Sequence, residues 1–510
     1  MRVTLTIGIL VLGGALAWGG TRLQAGEKPD GTAEIFNDHG DVGTVVHPGT
    51  IRYDAATGTY IVTGSGDNMW AATDAFQYVW TRVDHDADVS LAADVELLGA
   101  GGNAHRKAAL MVRQSLDADS AYADVAVHGD GLAALQVRRT RGAQTHEVIA
   151  PLSAPTHLRL EKRGDQFEMF VGAQGSVAAF GGGAARLRLT APFYVGLAVC
   201  AHDKDATLTA SFRGVRLRLT PPGPGEPGTR YSTLETLAIA STDRQAVYVT
   251  PGNIENPNWT ADGQALLFNR DGHLFRVPLA GGVPAQVTSG DVIVNGDHGL
   301  SPDGGAVAIS GTTVAGGESR VYVMPATGGT PRLVTANQPS YFHGWSPDGK
   351  TIAFVGRRHD NYDVYTVATT GGAETRLTRA PGLDDGPEFA PDGRHLYFTS
   401  DRSGRVQLWR MAADGSGEEQ LLVDDRNDWF PHVSPDGKWL AYLSYRGDVQ
   451  GHPADQPVQV RLLSLADRKV TVLARLTGGV GTLNENSWSP DSKHLAFISY
   501  AQVPSVPAIP

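Results

Sequence analysis

A single cysteine, Cys200, is present in 510 residues. The chain therefore has no internal disulfide, and its stability must come from buried apolar area and backbone pairing. The neighbours of Cys200, "GLAVCAH", read as a buried strand. Helical periodicity is scarce throughout. Basic runs are also missing, and the formal net charge is -11. Binding to a phosphate backbone needs grouped Lys and Arg to displace counterions, so the composition argues against nucleic acid as a partner. The sequence contains no Gly-rich phosphate loop, nucleophile elbow, Cys-based metal motif or HExxH string. The common nucleotide and hydrolase chemistries are thereby left without support.

What is abundant is turn chemistry. The 62 glycines and 29 prolines lie among short Val, Ile, Leu and Tyr runs, and 41% of residues are hydrophobic. That pattern predicts an all-β chain, and the length predicts two domains. The N-terminus, "MRVTLTIGILVLGGALAWGGTRLQA", has an early cation, an apolar stretch and small residues before a polar region. This is the layout of a secretory signal over residues 1–25, cleaved after Ala25. If uncleaved, the apolar stretch would serve as a membrane anchor. Export without disulfides fits a periplasmic or secreted protein of a bacterial envelope.

The Pro/Gly-rich stretch "TPPGPGEPGTR", residues 220–230, has no apolar face and reads as a linker. It separates a first domain at 33–219 from a second at 231–500, with a tail at 501–510. In the second domain "NWTADGQALLF", "GLSPDGGAVAI", "GWSPDGKTIAF", "EFAPDGRHLYF", "HVSPDGKWLAY" and "SWSPDSKHLAF" recur. Their spacing of roughly 40 to 50 residues is that of propeller blades. Pro-Asp-Gly sets a tight turn, and alternating apolar strands follow it. A lone four-stranded sheet cannot bury both faces, so the blades must pack around an axis. The six turns predict six blades. The last blade runs out of chain, and "LETLAIAST" and "RQAVYVTP" carry no turn of their own, so these two strands are expected to complete it and close the ring.

These repeats, together with "WSPDGKTIAFVGRRHDNYDVYTVATTGGAETRLT", resemble the TolB-like six-bladed propeller family over nearly the whole second domain. "NDWFPHVSPDGKWLAYLSY" and "NSWSPDSKHLAFISY" are similar to a secreted subgroup. The resemblance implies a site that binds partner proteins at the envelope. In the first domain, alternating strands such as "VSLAADVELL" and "KAALMVRQSL" read as a β-sandwich. "LMVRQSLDADSAYADVAV" and "FYVGLAVCAHD" resemble concanavalin-like jelly rolls of secreted carbohydrate-active proteins, which implies attachment to glycans or surfaces. Trp70, Phe76 and Trp80 would stack on sugar rings, or else belong to the core.

Before each turn stands an apolar residue, Trp259, Leu300, Trp345, Phe389, Val433 or Trp488, expected to pack between blades. Just upstream, where inner strands meet at the channel mouth, the residues are polar. His298, His343, Asp384 or Asp385, His432, and Asn484 or Glu485 come from successive blades, with Asp297, Glu388 and Asn486 beside them. Such a ring needs partners or a task. His298, His343 and His432 are candidate ligands for a divalent metal such as Mn, Zn or Ca. Alternatively, the histidines move protons, or simply cap loop carbonyls. His432 lies one residue nearer its turn, so strand alternation could aim it at the other face. Blade five carries a long insertion with Arg446, His452 and Arg461; either Arg446 or Arg461 holds a carboxylate by paired hydrogen bonds, or the insertion is a surface excursion whose strand arginine makes a structural ion pair.

The candidate catalytic residues are therefore His343, His298, Arg461 and His452. The candidate ligand-binding residues are Asp384, Asp385, Glu388, Asn484, Glu485, Asn486, Arg446 and Trp70. The expected occupant is a carbohydrate or acidic polymer, bound or cleaved by metal-assisted proton removal; the alternative is a protein-interaction scaffold. Hydrolysis by Asp384 with Glu485 is a further variant.

Overall fold

In the computed structural model, residues 35–223 and 228–504 are described. The expected signal segment lies outside them, as do 224–227 of the linker and 505–510 of the tail. Every regular element among the described residues is a β-strand, as the scarcity of helical periodicity predicts.

The first half folds into two antiparallel sheets. One orders Asp38–Val42, Thr73–Val83, Phe193–Cys200, Lys107–Arg113, Tyr122–His128, Ala133–Arg138 and Thr145–Ile149. The other runs Ala179–Arg186, Gln166–Gly172, His157–Arg163, Asp88–Leu98, Asp203–Thr220, Thr59–Gly66 and Thr50–Asp54. Leu110, Val112 and Leu197 of the first sheet share one buried core with Leu91, Leu158, Leu160 and Phe212 of the second. Alternation along the strands puts these residues on the facing sides. The outer face of the first sheet is also closed. Phe76 and Trp80 are buried there with Tyr78 and Met69, so neither ring is free to stack on a sugar. Trp70 stays half-buried, with Lys107 Nζ 5.6 Å from its ring centre. Cys200 is buried beside the Gly66 carbonyl, and burial pushes its thiol up to about 11.

In the second half, five four-stranded blades form separate sheets with inner strands Glu255–Trp259, Val292–Leu300, Ser340–Trp345, Asp384–Phe389 and Asn427–Val433. Six were expected from the turns. The remaining strands do not make a sheet of their own. Gly228–Ala238 pairs antiparallel with His494–Pro504 along its whole length and with Arg244–Pro251 on its other edge. Arg244–Pro251 in turn pairs in parallel with Thr145–Ile149, which joins these strands to the sandwich sheet. The innermost position of this unit is reduced to a single bridge, Trp488 to Leu495. The expected tail boundary also moves, because residues 501–504 continue the strand His494–Pro504.

The repeated turn owes its shape to side chains as much as to glycine. Ser346 Oγ donates to Asp348 Oδ1 at 2.6 Å and accepts the Thr351 N–H at 2.9 Å, while Asp348 Oδ1 accepts the Lys350 N–H. Gly349 supplies the positive φ, +67°. The same hydroxyl–carboxylate pair recurs at Thr260/Asp262, Ser301/Asp303, Ser434/Asp436 and Ser489/Asp491. In the fourth copy, Ala390 stands where the hydroxyl would be.

Candidate functional site

The turns ring one mouth of the propeller channel. A cavity of about 430 Å³ opens there. Ala261, Pro302, Pro347, Pro391, Pro435 and Pro490, one from each turn copy, form its rim together with Trp259, Trp345 and Trp488. Two of the tryptophans also tie neighbouring units together. Trp345 Nε1 donates to the Gly299 carbonyl at 2.9 Å, and Trp488 Nε1 to that of His432 at 3.0 Å. The wall is apolar; the floor is formed by His298, His343, Glu388, Glu485 and Asn486.

Side chains reach this floor because the inner strands are bulged. Pairing registers slip between Glu255 and Asn258, Val294 and His298, Phe342 and Gly344, Asp385 and Glu388, and Trp429 and His432. A bulge inserts unpaired residues and re-aims those around them. Asn256, Gly296, Gly386 and Phe430 take positive φ at these bulges. His343 is itself the extra residue of its bulge. Simple alternation therefore does not decide where His432 points.

His343 sits between two carboxyls, with Nε2 3.1 Å from Asp385 Oδ1 and Nδ1 3.2 Å from Glu485 Oε1. The second approach is poorly aligned as a hydrogen bond and leaves both Glu485 oxygens without a donor. Burial disfavours charge on His343, but Glu485 and Asp385 outweigh it and hold its pKa well above the ordinary imidazole value. Burial alone would raise Asp385; the His343 hydrogen bond and charge bring it below the usual carboxylate range. Glu485 goes the other way. Burial raises it well above its ordinary value, His343 offsets only part, and Asp297 and Glu388 add repulsion. Asp297 behaves similarly, pushed up to about 7 by burial, with Asp385 and Glu255 adding to the shift against His343.

Glu388 organises the adjoining sector. Its Oε2 lies 2.8 Å from His432 Nδ1, and its Oε1 accepts from Asn486 Nδ2 at 2.6 Å and from the Val433 N–H at 2.9 Å. His432 Nε2 faces the Leu483 carbonyl at 3.2 Å. Asn484 is buried and bonds the Gly481 N–H at 3.0 Å. His298 is fully buried. Its Nδ1 donates to the Gly296 carbonyl at 2.6 Å, Nε2 has no partner, and burial lowers its pKa to about 4.

The three histidines do not present a metal with three lone pairs. His343 is held protonated, both nitrogens of His432 are taken by protein acceptors, and only His298 keeps a bare nitrogen. Among the described residues, no group of three or more His, Cys, Asp or Glu is placed to hold a metal ion. The expected divalent metal therefore does not fit this donor set.

The arginines expected at the mouth are elsewhere. Arg461, on Gln456–Ser464, pairs with Asp424 at 2.5 Å and Gln459 at 2.8 Å. Arg446 is exposed and paired with Asp448. Asp384 turns away from the channel to Arg402, at 2.7 Å, leaving Asp385 as the channel carboxylate. His452 does come inward. Its ring packs 4.6 Å from Trp429 and 5.1 Å from Phe430, which in turn stacks on His343 at 6.2 Å. Burial lowers the His452 pKa against the pull of Asp385. Two contributors escaped the sequence reading. Asn258 lines the cavity and donates to the Asn486 carbonyl at 3.0 Å, and Phe430 braces His343. Both stand in the window upstream of a turn, which was their available signal.

A family profile described as the TolB beta propeller domain matches residues 337–467. An uncharacterized protein of Agrobacterium fabrum is 45% identical over 283 residues, covering 55% of this chain and 96% of that protein. A solved structure from Agrobacterium tumefaciens, described as a candidate TolB, is 45% identical with a TM-score of 0.52. It covers 54% of this chain and 100% of that one. An oligogalacturonate lyase from Vibrio parahaemolyticus is 14% identical with a TM-score of 0.34, over 56% of this chain and 99% of that chain. A likeness that distant carries no argument about activity.

Proposed function

This chain belongs to the TolB-like β-propeller family, and on that premise we propose that it is an exported binding protein whose funnel takes an extended polypeptide segment of an envelope partner. A cationic or donor-rich group of that segment seats on the floor. The observation that carries this reading is the surplus of acceptors there. His298 Nε2 is buried without a donor, and Glu485 meets only the poorly aligned His343 Nδ1 at 3.2 Å. Buried acceptors without partners cost free energy, which an ammonium or guanidinium would recover. The proline and tryptophan rim supplies the apolar contact that a peptide needs.

The same floor disfavours an acidic polymer, since the cations needed to meet it, Arg446 and Arg461, are committed outside the mouth. It also disfavours proton removal by His343, which has no free lone pair while it remains charged. A second reading, a neutral or amino glycan, draws support from Trp259, Trp345 and Trp488 at the rim, whose indole faces suit sugar rings. We further propose that His494–Pro504, Gly228–Ala238 and Arg244–Pro251, with the Trp488–Leu495 bridge, act as a sixth blade. Their whole-length pairing of one domain end with the other supports ring closure. The first domain is proposed to be a concanavalin-like sandwich.

The test is an immobilised peptide library with matched basic, neutral and acidic members, alongside a glycan array. The expected result is retention of Lys- or Arg-bearing peptides that falls at least tenfold in Glu485→Gln. Retention of acidic peptides alone, or retention unaffected by Glu485→Gln, overturns the proposal. Glycan capture that is lost in Trp345→Ala, with no peptide capture, replaces it with the second reading.

A further inference from the structure

A separate cavity of about 160 Å³ lies where the two domains meet. The sandwich contributes Arg139, directly after Ala133–Arg138, and His146 of Thr145–Ile149. The other wall is Arg244, which begins Arg244–Pro251, and Arg475 on the outer strand Val470–Gly478 of blade five. Three arginines thus line a space about the size of a small ion with a few waters, Arg475 from an exposed position.

Their partners are unevenly distributed. Arg244 has three of its five donors committed, two to Glu235 at 2.6 Å and one to the Ala184 carbonyl at 3.1 Å. Among the described residues, the side chains of Arg139 and Arg475 have neither a hydrogen bond nor an ion pair. Arg139 is partly buried, and burial together with repulsion from Arg244 and Arg475 lowers its pKa to about 10. Glu147 also lines the space, but it accepts from Gln136 at 3.1 Å, and burial raises its pKa. Asp243 stands close enough to Glu147 to add to that rise. Glu235 is shared between Arg244 and Ser499. His146 Nδ1 faces the Ser241 carbonyl at 3.2 Å and Thr242 Oγ1 at 3.0 Å, which leaves Nε2 for the cavity.

From this geometry we propose that the cavity is a binding site for a small oxyanion, a phosphate or phosphomonoester group, held between Arg139 and Arg475 and bridging sandwich and propeller. Guanidiniums match such oxygens in paired hydrogen bonds. The volume admits the anionic group itself and leaves any larger remainder outside. Because one arginine comes from each domain, occupancy would tie their relative position to the anion. The site is independent of the funnel and does not rest on the function proposed for it.

The test uses the full chain at constant ionic strength with chloride as reference, inorganic phosphate in one arm and glycerol 3-phosphate in the other. Isothermal calorimetry should show one site per chain, with thermal melting shifted upward by the bound anion. Arg139→Gln and Arg475→Gln should each weaken binding about tenfold or more, whereas Arg446→Gln should leave it unchanged. Arg139→Gln should also melt no lower than the parent in chloride, since it removes unrelieved repulsion, so loss of binding will not be confused with loss of fold. Binding in the glycerol 3-phosphate arm alone assigns the site to a tethered group, and binding in both assigns it to the free ion as well. No binding in either arm, or equal binding by Arg139→Gln, overturns the proposal.

Discussion

Asp297 shows what the polar cluster beneath the cavity costs in stability. Its carboxyl is pushed up to about 7, from an ordinary value near 3.8, chiefly by burial. A carboxyl whose folded pKa is raised binds its proton more tightly in the native state. Its stabilising contribution is therefore largest below pH 3.8 and declines as pH rises towards 7. The slope is at most about 1.4 kcal/mol per pH unit. Asp297→Asn should flatten the loss of stability between about pH 4 and 7 and leave the variant more stable than the parent at pH 7.5, as read by urea unfolding across that range. An unchanged pH profile would show that Asp297 is not the group responsible. The sequence placed Asp297, His343 and Glu485 near one mouth through their similar offsets, three or four residues before the turns. It could not reveal that His343 lies between two carboxyls, because that contact joins blades three and four to the segment around residue 485. Nor could it show that Arg446 and Arg461 find partners locally in Asp448 and Asp424.

At the level of elements, the turn and the bulge were unequally legible. The Ser-Pro-Asp-Gly turn is written in contiguous residues whose side chains bond within five positions, so six copies could be counted directly. The bulge has no such signature. Phe430 takes φ +57°, a value its residue type does not announce, and the slipped register overrides the alternation from which the aim of His432 would be read. The one imperfect turn gives a clean prediction. Ala390 N–H bonds the His395 carbonyl at 2.9 Å, and Asp392 Oδ1 accepts the Arg394 N–H at 2.9 Å. The backbone therefore already has the shape seen around Ser346. Ala390→Ser should add the missing hydroxyl–carboxylate bond and stabilise the protein by about 0.5–1.5 kcal/mol, while Ser346→Ala should cost a similar amount. Equilibrium unfolding of the two variants side by side checks both signs. A destabilised Ala390→Ser would mean that the buried hydroxyl lacks room or a partner.

For the whole molecule, the question is whether sandwich and propeller are separate bodies on a linker, as the Pro/Gly-rich stretch suggested, or one cooperative unit. Thr145–Ile149 continues the sandwich sheet into Arg244–Pro251. Phe170, Ala178 and Phe180 share a buried cluster with Ala501 and Val503, and Phe180 meets Tyr231 at 5.5 Å. None of these contacts has a local signature, since each pairs residues far apart in sequence. At their centre is Gly182, with φ +93° and no space for a side chain. A Cβ there would stand 2.8 Å from Ala246 Cβ and from Val249 Cγ2. Its neighbour Gly183 accepts no such intrusion either, because a Cβ there would stand 2.6 Å from Val148 Cγ1; its N–H donates to Thr233 Oγ1 across the same seam at 3.1 Å. Gly182→Ala therefore meets both a backbone penalty and overpacking, the latter about 1–3 kcal/mol, and the strain falls on the interface rather than on either core. The parent should melt in a single calorimetric transition, and Gly182→Ala in two, the first at lower temperature. Two resolved transitions in the parent, or one unshifted transition in the variant, would show that the domains are held together by something other than this seam.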